Sequence, residues 1–219
     1  MRNYIKYLSF LIVLSGSFLV HAGAYDDFFR AIRVDDARGL RSLLQRGFDP
    51  NTHNPKGLGG LYLAMREPSP QAARVLIEWP ATDLEARTPQ DESALMIAAL
   101  SGQLEIARLL IDKGAHVNKT GWTPLHYAAT NGHLDMIRLL LDHYAYIDAE
   151  SPNGTTPLMM AAHYGSADAV KLLLEEGADP LLKNQLGMNA IDFANQLDRK
   201  DAADLIAARV RLSLPKGKW

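Results

Sequence analysis

Seven histidines, 25 carboxylates and no cysteine are what this 219-residue chain offers to chemistry. Without cysteine there is no thiol nucleophile, no disulfide framework, no cysteine-ligated zinc and no lipid-bearing cysteine anchor. The histidines, at positions 21, 53, 116, 126, 133, 143 and 163, form neither an HExxH pattern nor a close pair with an acidic partner, so their spacing supplies no metal site. No GxSxG elbow, Walker-type loop or dinucleotide glycine pattern occurs. Asp49-Pro50 and Asp179-Pro180 read as turn chemistry, not as acid pairs. The sequence therefore predicts no catalytic residue, no metal and no cofactor, and an enzyme is not expected.

Composition narrows the partners. With 23 Lys+Arg against 25 Asp+Glu, the chain has no bulk electrostatic pull toward nucleic acid or anionic lipid, and neither is an expected partner. At 47% hydrophobic and 22% charged it is a folding sequence. Residues 1–24 stand apart: Arg2 and Lys6 precede an uncharged run, Leu8 to Val20, and then His21-Ala22-Gly23-Ala24. A basic head, a short apolar run and alternating small residues are the parts of a secretory signal peptide, with cleavage after Ala24, or alternatively after Ala22. The competing reading is an uncleaved anchor. Thirteen residues span about 20 Å as a helix, short of the roughly 30 Å hydrocarbon core, which favours cleavage. Loss of Arg2 and Lys6 leaves 21 basic against 25 acidic residues, a charge of −4. The expectation is export to a periplasm without further membrane attachment, with secretion or an N-terminal anchor as alternatives.

The elements that position any surface are set by internal repetition. Gly121-Trp-Thr-Pro-Leu-His-Tyr-Ala-Ala129 recurs as Gly154-Thr-Thr-Pro-Leu-Met-Met-Ala-Ala162, with looser copies starting at Gly57, Asp91 and Gly187 and a degenerate one at Phe28. Aligned on Phe28, Leu61, Leu95, Leu125, Leu158 and Ile191, the steps are 33, 34, 30, 33 and 33 residues. A second apolar cluster follows each, and most end in a glycine, as at Gly47, Gly114 and Gly177. Thr123 and Thr156 precede proline where an N-cap and a first-turn proline belong. The glycines suit the left-handed position that ends a helix. One such unit cannot bury its apolar face alone, so stacking must supply the core.

These residues resemble the ankyrin-repeat family, whose signature is a TPLHxA segment in a 33-residue unit. The resemblance implies an all-α repeat solenoid of helix–turn–helix units with β-hairpin fingers, about six repeats including two caps. Repeats fall near 25–53, 54–87, 88–118, 119–150, 151–183 and 184–212, leaving 213–219 as a loose tail. Arg30, Arg33 and Arg38 in the first repeat, and Asp198 to Asp204 in the last, supply the polar outer faces of caps. The resemblance gives His126 and His133 structural roles, hydrogen-bonding neighbouring turns.

It also implies a partner-facing row built from finger tips and the exposed side of each first helix. On this sequence the row carries Gln90, Glu92, Leu100, Ser101, Lys119, Thr120, Trp122, Thr130, Asn131, Pro152, Asn153, Thr155, His163, Tyr164, Gln185, Leu186 and Met188. The binding set drawn from it is Glu92, Lys119, Thr120, Trp122, Thr130, Asn131, Asn153, Thr155, His163, Tyr164 and Met188. Trp122, Tyr164 and Met188 are types that interface hot spots favour, although Trp122 could equally lie flat on an adjacent finger. The 30-residue step removes three residues between Asn118 and Gly121, which should leave a notch beside Trp122. Repeat two, with Gly59-Gly60 and Pro68-Ser-Pro70, should be the least regular. Tyr144 stands where other repeats carry glycine. The implied function is binding of another protein by a monomer, as a periplasmic adaptor linked to oxidative-stress defence. The alternatives are an inhibitor or immunity-type protein blocking an enzyme or toxin, and a secreted effector.

Overall fold

The computed structural model describes residues 23–213. Residues 1–22 of the expected signal peptide and the tail beyond Ser213 lie outside these described residues, whereas Gly23 and Ala24 fall within them. Within them are twelve helices and no strand. Helix α1 covers residues 23–33. It is followed by α2 (Ala37–Gln45), α3 (Gly60–Arg66), α4 (Pro70–Glu78), α5 (Ala94–Leu100) and α6 (Leu104–Asp112). Then come α7 (Pro124–Asn131), α8 (Leu134–Asp142), α9 (Pro157–His163), α10 (Ala167–Glu175), α11 (Ala190–Gln196) and α12 (Lys200–Ser213). The chain divides into two compact units at Pro89/Gln90.

The first unit holds α1 to α4, with α4 packed against both α2 and α3. Its largely aliphatic core includes an aromatic cluster, in which Phe28 packs against Phe29 and Phe48 at centroid distances of 5.1 and 4.8 Å. Gly60 explains the departure of repeat two, because a Cβ there would come within 2.6 Å of the Phe28 ring. Glycine at this position admits the phenylalanine, and the N-cap before it, Gly59, leaves the helix start without a side-chain cap. Asp35, at φ +54°, turns the chain between α1 and α2 and accepts a 2.7 Å hydrogen bond from the Ala72 amide at the start of α4.

The second unit holds α5 to α12. First helices contact one another in series, α5 to α7, α7 to α9 and α9 to α11, and second helices do likewise, α6 to α8, α8 to α10 and α10 to α12. The alanine pairs Ala98-Ala99, Ala128-Ala129 and Ala161-Ala162 are fully buried, and their size lets successive first helices approach closely. Leu110, Leu140 and Leu173 fill the second layer with no exposed surface. On α12, Lys200, Asp201, Asp204 and Arg209 are exposed, so the last helix has the polar outer face expected of a cap.

The helix starts follow one reciprocal pattern, with a changing residue at the third helical position. In α7 the Thr123 amide donates to His126 Nδ1 at 3.1 Å. In α5 and α9 the amides of Ser93 and Thr156 point at the sulfurs of Met96 and Met159, and in α11 the Asn189 amide donates to the Asp192 carboxylate. The Ser93, Thr156 and Asn189 side chains in turn accept from backbone amides of the first turn. At the other helix ends Gly47, Gly114 and Gly177 have φ of +88°, +96° and +102°, as the sequence requires. Tyr144 takes the same conformation at φ +62°, which costs a non-glycine residue roughly 1 kcal/mol.

The fingers differ from the expected hairpins. They close as turns: the amides of Asn54, Ser151 and Asn184 donate to the carbonyls of Leu58, Thr155 and Met188 at 2.9, 3.0 and 2.9 Å. Only His53 and Gly59 pair as an isolated antiparallel bridge among the described residues. Side-chain oxygens of Asn54 and Asn184 accept amides inside their own turns, which replaces ladder bonds with local ones.

Candidate functional site

Side chains that reach the neighbouring backbone help hold adjacent fingers of the second unit in register. Asn118 donates from Nδ2 to the Tyr144 carbonyl at 2.7 Å and accepts the Tyr146 amide on Oδ1 at 2.9 Å. Asp148 does the same job one repeat on, accepting the Asp179 amide at 3.1 Å. Burial raises the pKa of its carboxyl, against the stabilising hydrogen bond from Asp179. Because Asn118 keeps this position, the missing three residues fall directly after it, and the fourth finger is cut to Lys119-Thr120-Gly121.

The shortening opens a groove of about 540 Å³, lined by Gln90, Asp91, Thr120, Gly121, Trp122, Glu150, Ser151 and Pro152. This is the expected notch. Thr120 is exposed on it, and Trp122 lies half-buried with its ring 5.2 Å from that of His126 in an edge-to-face arrangement. His126 itself is wholly buried. Its Nδ1 accepts the Thr123 amide, and its Nε2 then donates to the Thr155 carbonyl at 2.9 Å. Burial, above all, lowers its pKa from 6.5 to about 4, with hydrogen bonds to Thr155 and Ala149 opposing the shift. The ring is neutral at neutral pH and ties the fourth repeat to the fifth.

Several side chains assigned to the row are committed to neighbours. Lys119 is paired with Asp91 and its side chain is only 12% exposed. Glu92 accepts from the Tyr127 hydroxyl at 3.3 Å. Thr130 donates to the His126 carbonyl, and Asn131 donates to the Leu100 carbonyl at 2.7 Å. His133 meets the same carbonyl at 3.0 Å, the structural role its position implies. Asn153 caps its own finger, accepting from the Ser151 hydroxyl and the Thr155 amide. His163 contacts the Phe193 carbonyl at 3.0 Å and Met188 receives a long Gln196 Nε2 contact at 3.6 Å. Thr155 does not belong to the exposed row. Its backbone is bonded to the Ser151 turn, the amide donating to Ser151 Oγ at 3.0 Å and the carbonyl accepting the Ser151 amide, and the residue is 2% exposed.

The structure thus brings Thr120 and Trp122 together on the groove, with Lys119 buttressing its wall. His163 and Tyr164 form a second group on the next inter-helix turn, their rings 4.1 Å apart and Tyr164 59% exposed. Met188 lies one finger further along. The groove also recruits Asp91, Glu150 and Ser151, which sequence reasoning left out. Their signal was indirect: deleting one finger exposes whatever its two neighbours carry at their tips.

Among the described residues no group of three or more His, Asp or Glu could hold a metal ion, and no helix is long and apolar enough to cross a membrane. The sequence matches the family description Ankyrin repeats (3 copies) over residues 28–121, 80–151, 115–184 and 147–212. The chain belongs to the ankyrin-repeat family. It is 28% identical over 101 residues to the human transient receptor potential cation channel subfamily A member 1, covering 45% of this chain but only 9% of that relative. Its fold is similar to the human ASB11 ankyrin repeat domain, with a TM-score of 0.75, 24% identity, and 87% of this chain and 85% of that one covered. It is also similar to a chain in the structure of the Bd0816 predatory endopeptidase from Bdellovibrio bacteriovorus in complex with immunity protein Bd3460. There the TM-score is 0.72 and the identity 25%, covering 83% of this chain and 97% of that one. Ankyrin repeats mediate binding to protein partners, and the fold is typically a non-enzymatic interaction scaffold.

Proposed function

We propose that this chain is an exported ankyrin-repeat module that binds one protein in a periplasm, through the finger row centred on the Trp122 groove. The observation that carries the reading is the groove itself: a shortened finger leaves an indole half-exposed between two intact finger tips. An aromatic anchor in a recess rimmed by polar groups is the usual form of an interface hot spot. Export rests on the signal-like pattern of residues 1–24, and N-terminal sequencing of the mature protein should begin at Tyr25. An adaptor role, including one in oxidative-stress defence, needs no more than this surface.

A second reading, an inhibitor or immunity-type protein, draws on the similarity to a chain from an endopeptidase–immunity protein complex. It uses the same surface and differs in outcome, since the captured protein would be an enzyme or toxin whose activity falls on binding. Capture from the periplasmic fraction with the wild-type chain and with Trp122→Ala tests the common claim. A buried interfacial tryptophan costs about 2 kcal/mol or more on truncation. The variant should therefore capture its partner at least about tenfold more weakly, equivalent to 1.4 kcal/mol, while melting near the wild type. Unchanged capture would put the partner elsewhere, and weak capture with a collapsed melt would make Trp122 a packing residue.

A further inference from the structure

The charge pattern of the groove restricts what can enter it. Its walls carry one carboxylate each, Asp91 at the third finger tip and Glu150 beside the fifth. Lys119 occupies Asp91 and, being largely covered, presents no charge outward. Glu150 is exposed and is without an ion-pair partner among the described residues. The other side chains facing the cavity, Gln90, Thr120, Ser151 and Pro152, are uncharged, and His126 behind the indole is neutral at neutral pH. With Lys119 counted against Asp91 and Glu150, the site holds a charge of −1 beside a half-exposed indole.

Resting on the Trp122-centred reading above, we propose that the groove receives an arginine side chain of the protein partner, its guanidinium against the Trp122 indole and paired with the Glu150 carboxylate. An acidic side chain would meet the exposed Glu150 carboxylate in a site of net charge −1. An apolar one would desolvate Glu150 without replacing its hydrogen bonds. Lysine satisfies the charge and makes a cation–π contact as well, but its ammonium neither stacks flat on an indole nor forks onto a carboxylate. A planar guanidinium does both, with a cation–π contact to an aromatic ring and paired N–H donors to a carboxylate. A cavity of about 540 Å³ also leaves room for the backbone that presents the side chain.

The probe is the peptide acetyl-Gly-Arg-Gly-amide, titrated into the 15N-labelled chain from residue 25 onward while the indole N–H signals of Trp79 and Trp122 are followed by NMR. The citrulline and norleucine versions of the peptide serve as controls. The arginine peptide should shift the Trp122 signal saturably, leave Trp79 in place, and bind at least about fivefold more tightly than the citrulline peptide. Glu150→Gln, at an exposed position that does not threaten folding, should remove that preference. No response, an equal response to norleucine, or a preference that survives Glu150→Gln overturns the proposal. If Trp122→Ala loses the native partner while the arginine peptide gives no response, the surface reading stands and the arginine assignment falls. If the peptide binds but Trp122→Ala captures the partner normally, both fall.

Discussion

His126 accepts the Thr123 amide on Nδ1 and donates from Nε2 to the Thr155 carbonyl, so a second proton would set two donors against each other inside the core. The cost of charging a buried ring, with a smaller push from the Lys119 charge, holds its pKa near 4, below the ordinary value of 6.5, against the opposing hydrogen bonds to the Thr155 and Ala149 backbone. The unfolded chain therefore takes up the proton first. The ring's contribution is complete above about pH 6.5, declines as the pH falls toward 4, and levels off below; on the scale of 1.36 kcal/mol per pKa unit it amounts to about 3 kcal/mol. Urea midpoints should fall between pH 7 and pH 4.5 in the wild-type chain. In His126→Gln they should start lower and fall less steeply, and equal slopes would remove the assignment. The structural role of this histidine was legible because it sits in a Thr-Pro-Leu-His segment. The methionines that replace it at Met96 and Met159 were not, since a sulfur accepting an amide leaves no sequence pattern.

At the scale of elements, Thr123 and Thr156 with the prolines that follow them, and Gly47, Gly114 and Gly177 at helix ends, marked the helix boundaries where they stand, because each answers a local backbone demand that few residue types can meet. The notch was legible for a similar reason: a count of residues between Asn118 and Gly121 needs no partner to be known. What the sequence did not disclose is which row residues are already engaged. Lys119 and Asn131 bond to residues about thirty positions away in the preceding repeat and His163 to one in the following repeat, and no periodicity announces a contact that depends on rotamers. The fingers likewise satisfy their backbones within the turn, through Asn54 and Asn184, so the anticipated strands do not form. The last pair has a clear task, because α11 covers α9 and α12 covers α10. Deleting residues 184–219 should expose the apolar sides of α9 and α10, lower the soluble yield and depress the melting temperature. A truncated chain that stays soluble and melts like the wild type would contradict the capping role of these helices.

For the whole molecule, the pattern is one of nearest-neighbour contacts within each unit, so stability is expected to follow from summed repeats and the interfaces between them. Such a scaffold leaves function to the row of side chains it displays, and on that row the groove at the shortened fourth finger is where the repeat pattern breaks. The account's central claim is that a protein partner docks there. A photo-crosslinking amino acid placed at Thr120, exposed on the groove, and in a second chain at Arg108, exposed on α6, tests it in cells. The Thr120 position should yield one discrete protein adduct that mass spectrometry identifies, and the Arg108 position should not yield it. No adduct at Thr120, or the same adducts from both positions, would contradict the claim.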